Sequence, residues 1–177
     1  MIKKNRILKT GLIFGAVALI AAILNFYTSL LTGSIPFVNG HLTDIVITIV
    51  AIVGSIYFFK TYINNGYLHL WQGIVLGLWT LWVSVNFIAL FQYIYLEWIN
   101  PDLLQEYKNY MQKELVANAE ALKKEEFYTE AKLKLEAFLK SKPIDVVWHQ
   151  MFLKFLPFPI TILSVFFASL AFRKVEK

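Results

Sequence analysis

The chain contains no cysteine, and that absence removes disulfides, thiolate zinc sites, iron–sulfur clusters and thiol redox chemistry together. Charge is scarce as well: 16% of the 177 residues are charged, 58% are hydrophobic, and the mean hydropathy is +0.56. A soluble domain of this length has no core large enough to hide so much apolar side chain, so part of it must face hydrocarbon. Histidine is limited to His41, His69 and His149, with no H-x-x-x-H spacing to suggest zinc. There is no G-x-S-x-G elbow and no phosphate-binding glycine loop. The net charge of +5 would suggest nucleic acid only if it formed a stripe on a soluble surface. Here the basic residues gather where apolar runs begin and end, and no nucleic-acid partner is expected.

The apolar runs themselves define the fold class. Gly11 to Leu31 is an uncharged stretch of about 21 residues, enough at 1.5 Å per residue to cross roughly 30 Å of hydrocarbon. Ala16-Val17-Ala18 after a lysine-rich start resembles a signal-peptide cleavage site, but the hydrophobic run continues well past it, which favours an uncleaved signal anchor. Leu42 to Phe59 is rich in Ile and Val, and at about 18 positions it is too long for a strand. Leu70 to Tyr95 is a third run, with Trp71 and Trp98 where an aromatic belt should flank it. A fourth crossing is expected over 155–172. Pro157 and Pro159 should kink it after an interfacial stretch from Val146 to Phe155, and Lys154 should snorkel to the headgroups. The expectation is an all-α, polytopic membrane protein: a single domain over 1–177, with four transmembrane helices (11–31, 42–59, 70–95, 155–172) and an extramembrane helical hairpin (100–142) between spans three and four.

Orientation follows from short flanking segments, because Lys and Arg beside spans are retained in the cytoplasm. Lys3, Lys4, Arg6 and Lys9 precede the first run, Lys60 follows the second, and Arg173, Lys174 and Lys177 follow the last. Thr32 to His41 carries none. Both termini are therefore expected in the cytoplasm and residues 97–145 outside, in a bacterial cytoplasmic (inner) membrane. The eight lysines within Glu97 to Asp145 pull the other way, but ten acids accompany them and most lie far from the span ends.

Within that outer segment, Asn100-Pro101-Asp102 is a helix-start signal: Asn as cap, Pro at N1 where its missing donor costs nothing, and Asp at the positive end of the dipole. Leu104, Tyr107, Met111 and Leu115 recur at helical spacing, as do Tyr128, Ala131, Leu135 and Phe138. Two amphipathic helices should form, with a turn near Ala121 to Glu126. Their apolar stripes must cover each other or meet lipid or a partner.

Each apolar run also carries a row of small or weakly polar residues. The rows are Gly11, Gly15, Ala18, Ala22 and Asn25; Asp44, Thr48, Ala51 and Ser55; Gly73, Gly77, Thr80 and Ser84; and Thr161, Ser164, Ala168 and Ala171. Such rows let helix backbones approach where no hydrophobic effect drives helices together, so Gly11, Gly15, Gly73 and Gly77 are expected at helix contacts. The search for chemistry yields little. Asn25 and Asp44 should lie in the outer third of the bundle, near His41, Asn86, Gln92, His149 and Gln150 in depth, and form a candidate ligand site. Against it stands a cap role for Asp44 at the headgroup level, and Asn86 does not share the Thr80 and Ser84 stripe. A zinc site from His41, His149 and Asp44 lacks supporting spacing. Glu125-Glu126 would open the E-E-x-x-x-R pattern of intramembrane CAAX-type proteases, but Glu130 stands where the arginine is needed. No catalytic residue, metal or cofactor is expected.

Taken in order, the lysine-rich start before Gly11 to Leu31, Asn65-Gly66, Trp71-Gln72-Gly73, Gly77, Tyr93-Ile94-Tyr95, Ile99-Asn100-Pro101-Asp102, a charged helical insert and a final Arg173-Lys174 resemble a bacterial family, domain of unknown function 4199, over nearly the whole chain. The resemblance implies a small inner-membrane protein of four spans, and it supplies no catalytic residues. The leading expectation is a non-enzymatic accessory or scaffold protein of the bacterial envelope. Its expected partners are the lipid bilayer, an envelope membrane protein met through 100–142, and a second copy of the chain. The alternative is a small transporter or lipid-binding subunit using Asn25 and Asp44.

Overall fold

A computed structural model describes residues 2–118, 125–155 and 160–174, and among these the secondary structure is helical, with one isolated bridge pair between Leu68 and Lys174. The helices are α1 (Ile2–Leu31), α2 (Pro36–Phe58), α3 (Leu70–Ile94), α4 (Asp102–Ala117), α5 (Glu125–Leu139), α6 (Pro143–Phe155) and α7 (Ile160–Ala171). They fall into two compact units, Met1–Phe91 with Gln150–Lys177, and Gln92–His149.

In the first unit, α1 ends where Gly33 takes a positive φ of 70°, so that the Ser34 N–H reaches the Ser29 carbonyl at 2.9 Å and the Gly33 N–H reaches Leu30 at 3.1 Å. This is a Schellman stop. The next helix starts at Pro36, six residues before the apolar run expected from Leu42, because proline at the first helical position loses no hydrogen bond. His41 is therefore helical rather than part of a loop.

Side-chain contacts fix how these helices run. Phe14 of α1 packs on Phe58 of α2 at 5.7 Å, and Phe26 packs on Phe37 at 5.7 Å, so α1 and α2 are antiparallel. Gly11 faces Trp79 and Gly15 faces Val83, which makes α1 and α3 parallel. Gly73 faces Ser169 and Gly77 faces Val165, so α7 runs against α3. The core between them is built from Ile7, Ile52, Ile56, Phe59, Leu76, Leu81 and Val165, among others.

The outward faces are apolar as well. Ile13, Ile20 and Leu24 on α1 are 59%, 59% and 63% exposed, and Val50, Trp82, Leu90 and Phe167 are all more than half exposed. No water-facing surface carries apolar area on this scale. Asn5–Leu31, Leu42–Ile63 and Leu70–Ile99 are each long and apolar enough to cross a membrane. The 12 residues of α7 reach only about 18 Å, and the residues that precede it, including Pro157 and Pro159 of the expected kink, lie outside the described residues.

Two features were not anticipated. Phe59–Ile63 and Tyr95–Ile99 are π-helical turns, closed by Asn64 N–H to the Phe59 carbonyl at 2.9 Å and Asn100 N–H to the Tyr95 carbonyl at 2.8 Å. Both occupy the same pattern, aromatic-x-x-aromatic-Ile-Asn. In each the first aromatic is buried, while the second, Tyr62 or Trp98, is 69% or 70% exposed. The wide turn rotates an aromatic ring out at a helix end, the position where amphipathic rings anchor at a membrane interface.

In the second unit, Leu103, Leu104 and Tyr107 of α4 are buried, and Tyr107 meets Phe138 of α5 edge-on at 5.2 Å. The Lys108 ammonium donates to the Ser141 carbonyl at 2.7 Å. The start of α4 therefore packs against the end of α5. α6 opens with Pro143 at its first position, and the Asp145 carboxylate accepts the Lys142 N–H at 2.8 Å. The expected turn near Ala121 to Glu126 lies largely outside the described residues.

Candidate functional site

The four small-residue rows lie mostly at helix contacts. Gly11, Gly15, Ala18, Ala22, Asp44, Thr48, Ala51, Ser55, Gly73, Gly77, Thr80, Ser84, Thr161 and Ala168 are all buried. Asn25 and Ser164 are half-buried, and Ala171 is exposed. A Cβ added at Gly73 would lie 2.7 Å from Ser169 Oγ, and one at Gly77 would lie 2.7 Å from Val165 Cγ1. At Gly11 and Gly15 it would run into the Trp79 ring and Val83. The close approach at Gly11 also lets the Trp79 indole N–H reach the Leu8 carbonyl across the contact, at 3.0 Å. Thr80 and Ser55, both fully buried, are hydrogen-bonded between α3 and α2 at 3.1 Å. The row hydroxyls of Thr48, Ser84 and Ser164, and that of Ser169 beside the last row, turn back onto carbonyls of their own helices at 2.6–2.8 Å. These hydroxyls are thus satisfied largely within their own helices.

Asn25 and Asp44 lie toward the same end of the antiparallel α1–α2 pair, near the Phe26–Phe37 contact. The Asn25 carbonyl accepts the Ser29 hydroxyl at 3.0 Å, and the Asp44 carbonyl accepts the Thr48 hydroxyl at 2.8 Å. Asp44 is 3% exposed. Asn86 turns its amide back onto the Trp82 carbonyl at 2.7 Å, and Gln92 and His149 belong to the second unit. The side chains of His41, Gln150, Lys154, Glu125 and Glu126 lie outside the described residues. Among the described residues no three of His, Asp and Glu converge on a metal-sized site. At the start of α4, Asn100 Oδ1 accepts the Leu103 N–H at 3.3 Å, while the helix itself begins at Asp102 with Pro101 as its flanking residue.

Two clefts lie at the opposite end of the first unit. A cleft of about 240 Å³ is lined by Arg6, Phe59, Ile63, Asn64, Asn65, Tyr67 and His69. A second, of about 380 Å³, is lined by His69, Leu70, Trp71, Ile74 and Arg173. The segment between α2 and α3 is fixed there by several bonds. Leu68 and Lys174 exchange backbone hydrogen bonds at 2.8 and 3.1 Å. Asn64 Nδ2 donates to the Tyr67 carbonyl at 2.7 Å, and the buried Gln72 accepts the His69 N–H at 3.1 Å. Lys60 lies over the Phe172 ring and Lys174 over the Tyr67 ring, each 5.7 Å from the centroid. Sequence reasoning had not assigned a site here. The signal was the set of short basic flanks, read only for orientation.

A helical protein whose lipid-length segments pack through glycine and hydroxyl seams, with apolar side chains outermost, is a multi-pass membrane protein in class. The chain belongs to the family described as "Protein of unknown function (DUF4199)", whose sequence model matches residues 9–176. No curated protein and no solved structure matches it.

Proposed function

We propose that the chain is a four-crossing protein of the bacterial cytoplasmic membrane that acts without catalysis, presenting residues 100–142 as a helical hairpin on the outer face for an envelope membrane protein. The observation that carries the docking role is the uneven closure of α4 and α5. Tyr107 and Phe138 seal one end of the pair, whereas Val116 and Leu133 are 67% and 61% exposed. Apolar side chains left open on amphipathic helices are the usual material of a helix-docking surface.

Support for a fourth crossing comes from α7. It buries Thr161, Val165, Ala168 and Ser169 against its neighbours and turns Ile162, Leu163, Phe166 and Phe167 outward, the two-faced pattern of a helix between protein and lipid. It is antiparallel to α1 and α3, and its last residues return to the end that holds Arg6 and Lys60. Gathering the basic flanks at one end is the arrangement that the retention of Lys and Arg in the cytoplasm favours.

The test is photocrosslinking in living cells from a photoreactive residue at Val116 or Leu133, with the enclosed Tyr107 as the control position. The expected result is one envelope protein captured from both exposed positions and not from Tyr107. Capture of lipid or of the chain itself alone would replace the accessory reading with the oligomeric lipid-handling alternative.

A further inference from the structure

We propose that the basic end of the first unit is a binding site for a phosphate group, held between the arginines of the two clefts that meet at His69. This goes beyond the docking role assigned to residues 100–142 and does not depend on it. Of the 17 basic residues, only Arg6 and Arg173 are arginine, and each lines one of the two clefts that share His69. Lysine serves as a point charge for orientation across a membrane, but only the planar guanidinium offers paired donors that match two phosphate oxygens. The only arginines in the chain therefore stand where geometry rather than charge alone is needed.

The surroundings favour an anion. The first unit carries nine basic and two acidic residues in sequence. Of these acids only Asp44 is a described residue, and it stands 15 positions before Phe59 in a continuous helical stretch, about 22 Å away. Among the described residues no carboxylate lines either cleft. Asn65, Tyr67 and His69 add polar groups to the Arg6 side. The Asn65-Gly66 turn sits at positive φ, 51° and 83°, held by Gly66 N–H to the Lys60 carbonyl at 2.8 Å and Tyr67 N–H to the Asn64 carbonyl at 3.0 Å. The Leu68–Lys174 bridge ties the backbone beside Arg173 to that same turn, so the segment that carries His69, shared by both clefts, is held to the end of α7 before any ligand arrives.

Depth points to a headgroup-level ligand. Trp71 lines the second cleft and is 58% exposed, and Tyr62 beside the first is 69% exposed; amphipathic rings of this kind mark the interface between hydrocarbon and water. Basic pockets between transmembrane helices on the cytoplasmic side hold phosphorylated headgroups. Phosphate is the shared chemistry, carried either by an anionic phospholipid or free in solution.

The full-length protein can be reconstituted in nanodiscs of phosphatidylcholine containing phosphatidylglycerol, extracted, and its co-purifying lipid identified by native mass spectrometry. In parallel, the detergent-solubilised protein is titrated with inorganic phosphate while thermal unfolding is followed. Retention of phosphatidylglycerol that falls roughly tenfold in Arg6→Gln and in Arg173→Gln, as expected for loss of a charge-assisted bond, but not in Lys9→Gln, establishes a lipid headgroup site. A Tm rise with inorganic phosphate that requires Arg6, without lipid retention, establishes a free-phosphate site. Asn65→Gly, which keeps the turn's positive φ, should weaken binding by a smaller factor and serves if an arginine variant does not fold. Equal losses in Arg6→Gln and Lys9→Gln, equal retention of phosphatidylcholine, or no response to either probe would overturn the proposal.

Discussion

At Gly15 the residue type is dictated by what stands across the contact: a Cβ there would lie 2.8 Å from Val83 Cβ and 3.3 Å from the Ser84 backbone nitrogen. Backbone cannot yield as a flexible side chain does, so Gly15→Ala should destabilise the protein by about 1–3 kcal/mol through overpacking. Ser55→Ala removes one interhelical hydrogen bond to Thr80 and should cost only about 0.6 kcal/mol, the average for such bonds in membranes. Unfolding in mixed detergent micelles ranks the two. A larger loss for Ser55→Ala would mean that polar bonds, not close backbone packing, hold α1, α2 and α3 together. The glycine rows were legible because small residues at three- and four-residue spacing mark one helix face whatever the partner. Their partners were not legible. Nothing in the spacing of Trp79 and Val83 says that they lie across from Gly11 and Gly15, and on α7 it is Ser169, which is not in the expected row, that meets Gly73, while Ala171 of that row is exposed.

The helical elements were visible as apolar runs, and their ends were less so. Helix α2 begins at Pro36 because a proline start needs no polar cap, a signal that a hydropathy reading passes over. The π turns after α2 and α3 escaped too, although their shared aromatic-x-x-aromatic-Ile-Asn pattern was present to be compared. In the second unit, Leu104 and Tyr107 of the first stripe are buried while Leu115 is half-buried and Met111 exposed. A periodic pattern alone cannot tell which part of a stripe finds cover. Burial raises the Tyr107 hydroxyl above its ordinary value of 10.0. A group raised in the folded state contributes stability that is complete below the unfolded value and is lost as pH climbs through the folded one. Unfolding of α4 and α5 should therefore set in above pH of about 10, and Tyr107→Phe should delay it. Tyrosinate absorbance and helicity followed together against pH check this. Tyr110, raised chiefly by its hydrogen bond to Glu114 rather than by burial, is half-buried and should titrate without unfolding the pair. Unchanged alkaline unfolding in Tyr107→Phe would show that this contact does not hold the pair.

For the whole molecule, composition alone separated a membrane protein from a soluble one, because 58% hydrophobic residues exceed what a small core can absorb. The cleft at the basic end was not legible, since its walls come from α1, the segment between α2 and α3, and the end of α7, which only folding brings together. The same convergence underlies the proposed topology, in which the Arg6, Lys60 and Lys174 flanks share the cytoplasmic side and α5 stands outside. The absence of cysteine makes that topology directly measurable, because any thiol introduced is the only one. Single Thr61→Cys, Lys134→Cys and Lys174→Cys variants, each at an exposed position, can be treated in intact cells with a membrane-impermeant maleimide. Labelling of Lys134→Cys alone, with the other two reacting only after lysis, is the expected result. Labelling of Thr61→Cys with protection of Lys134→Cys would invert the topology, and labelling of Lys174→Cys together with Lys134→Cys would leave three crossings instead of four.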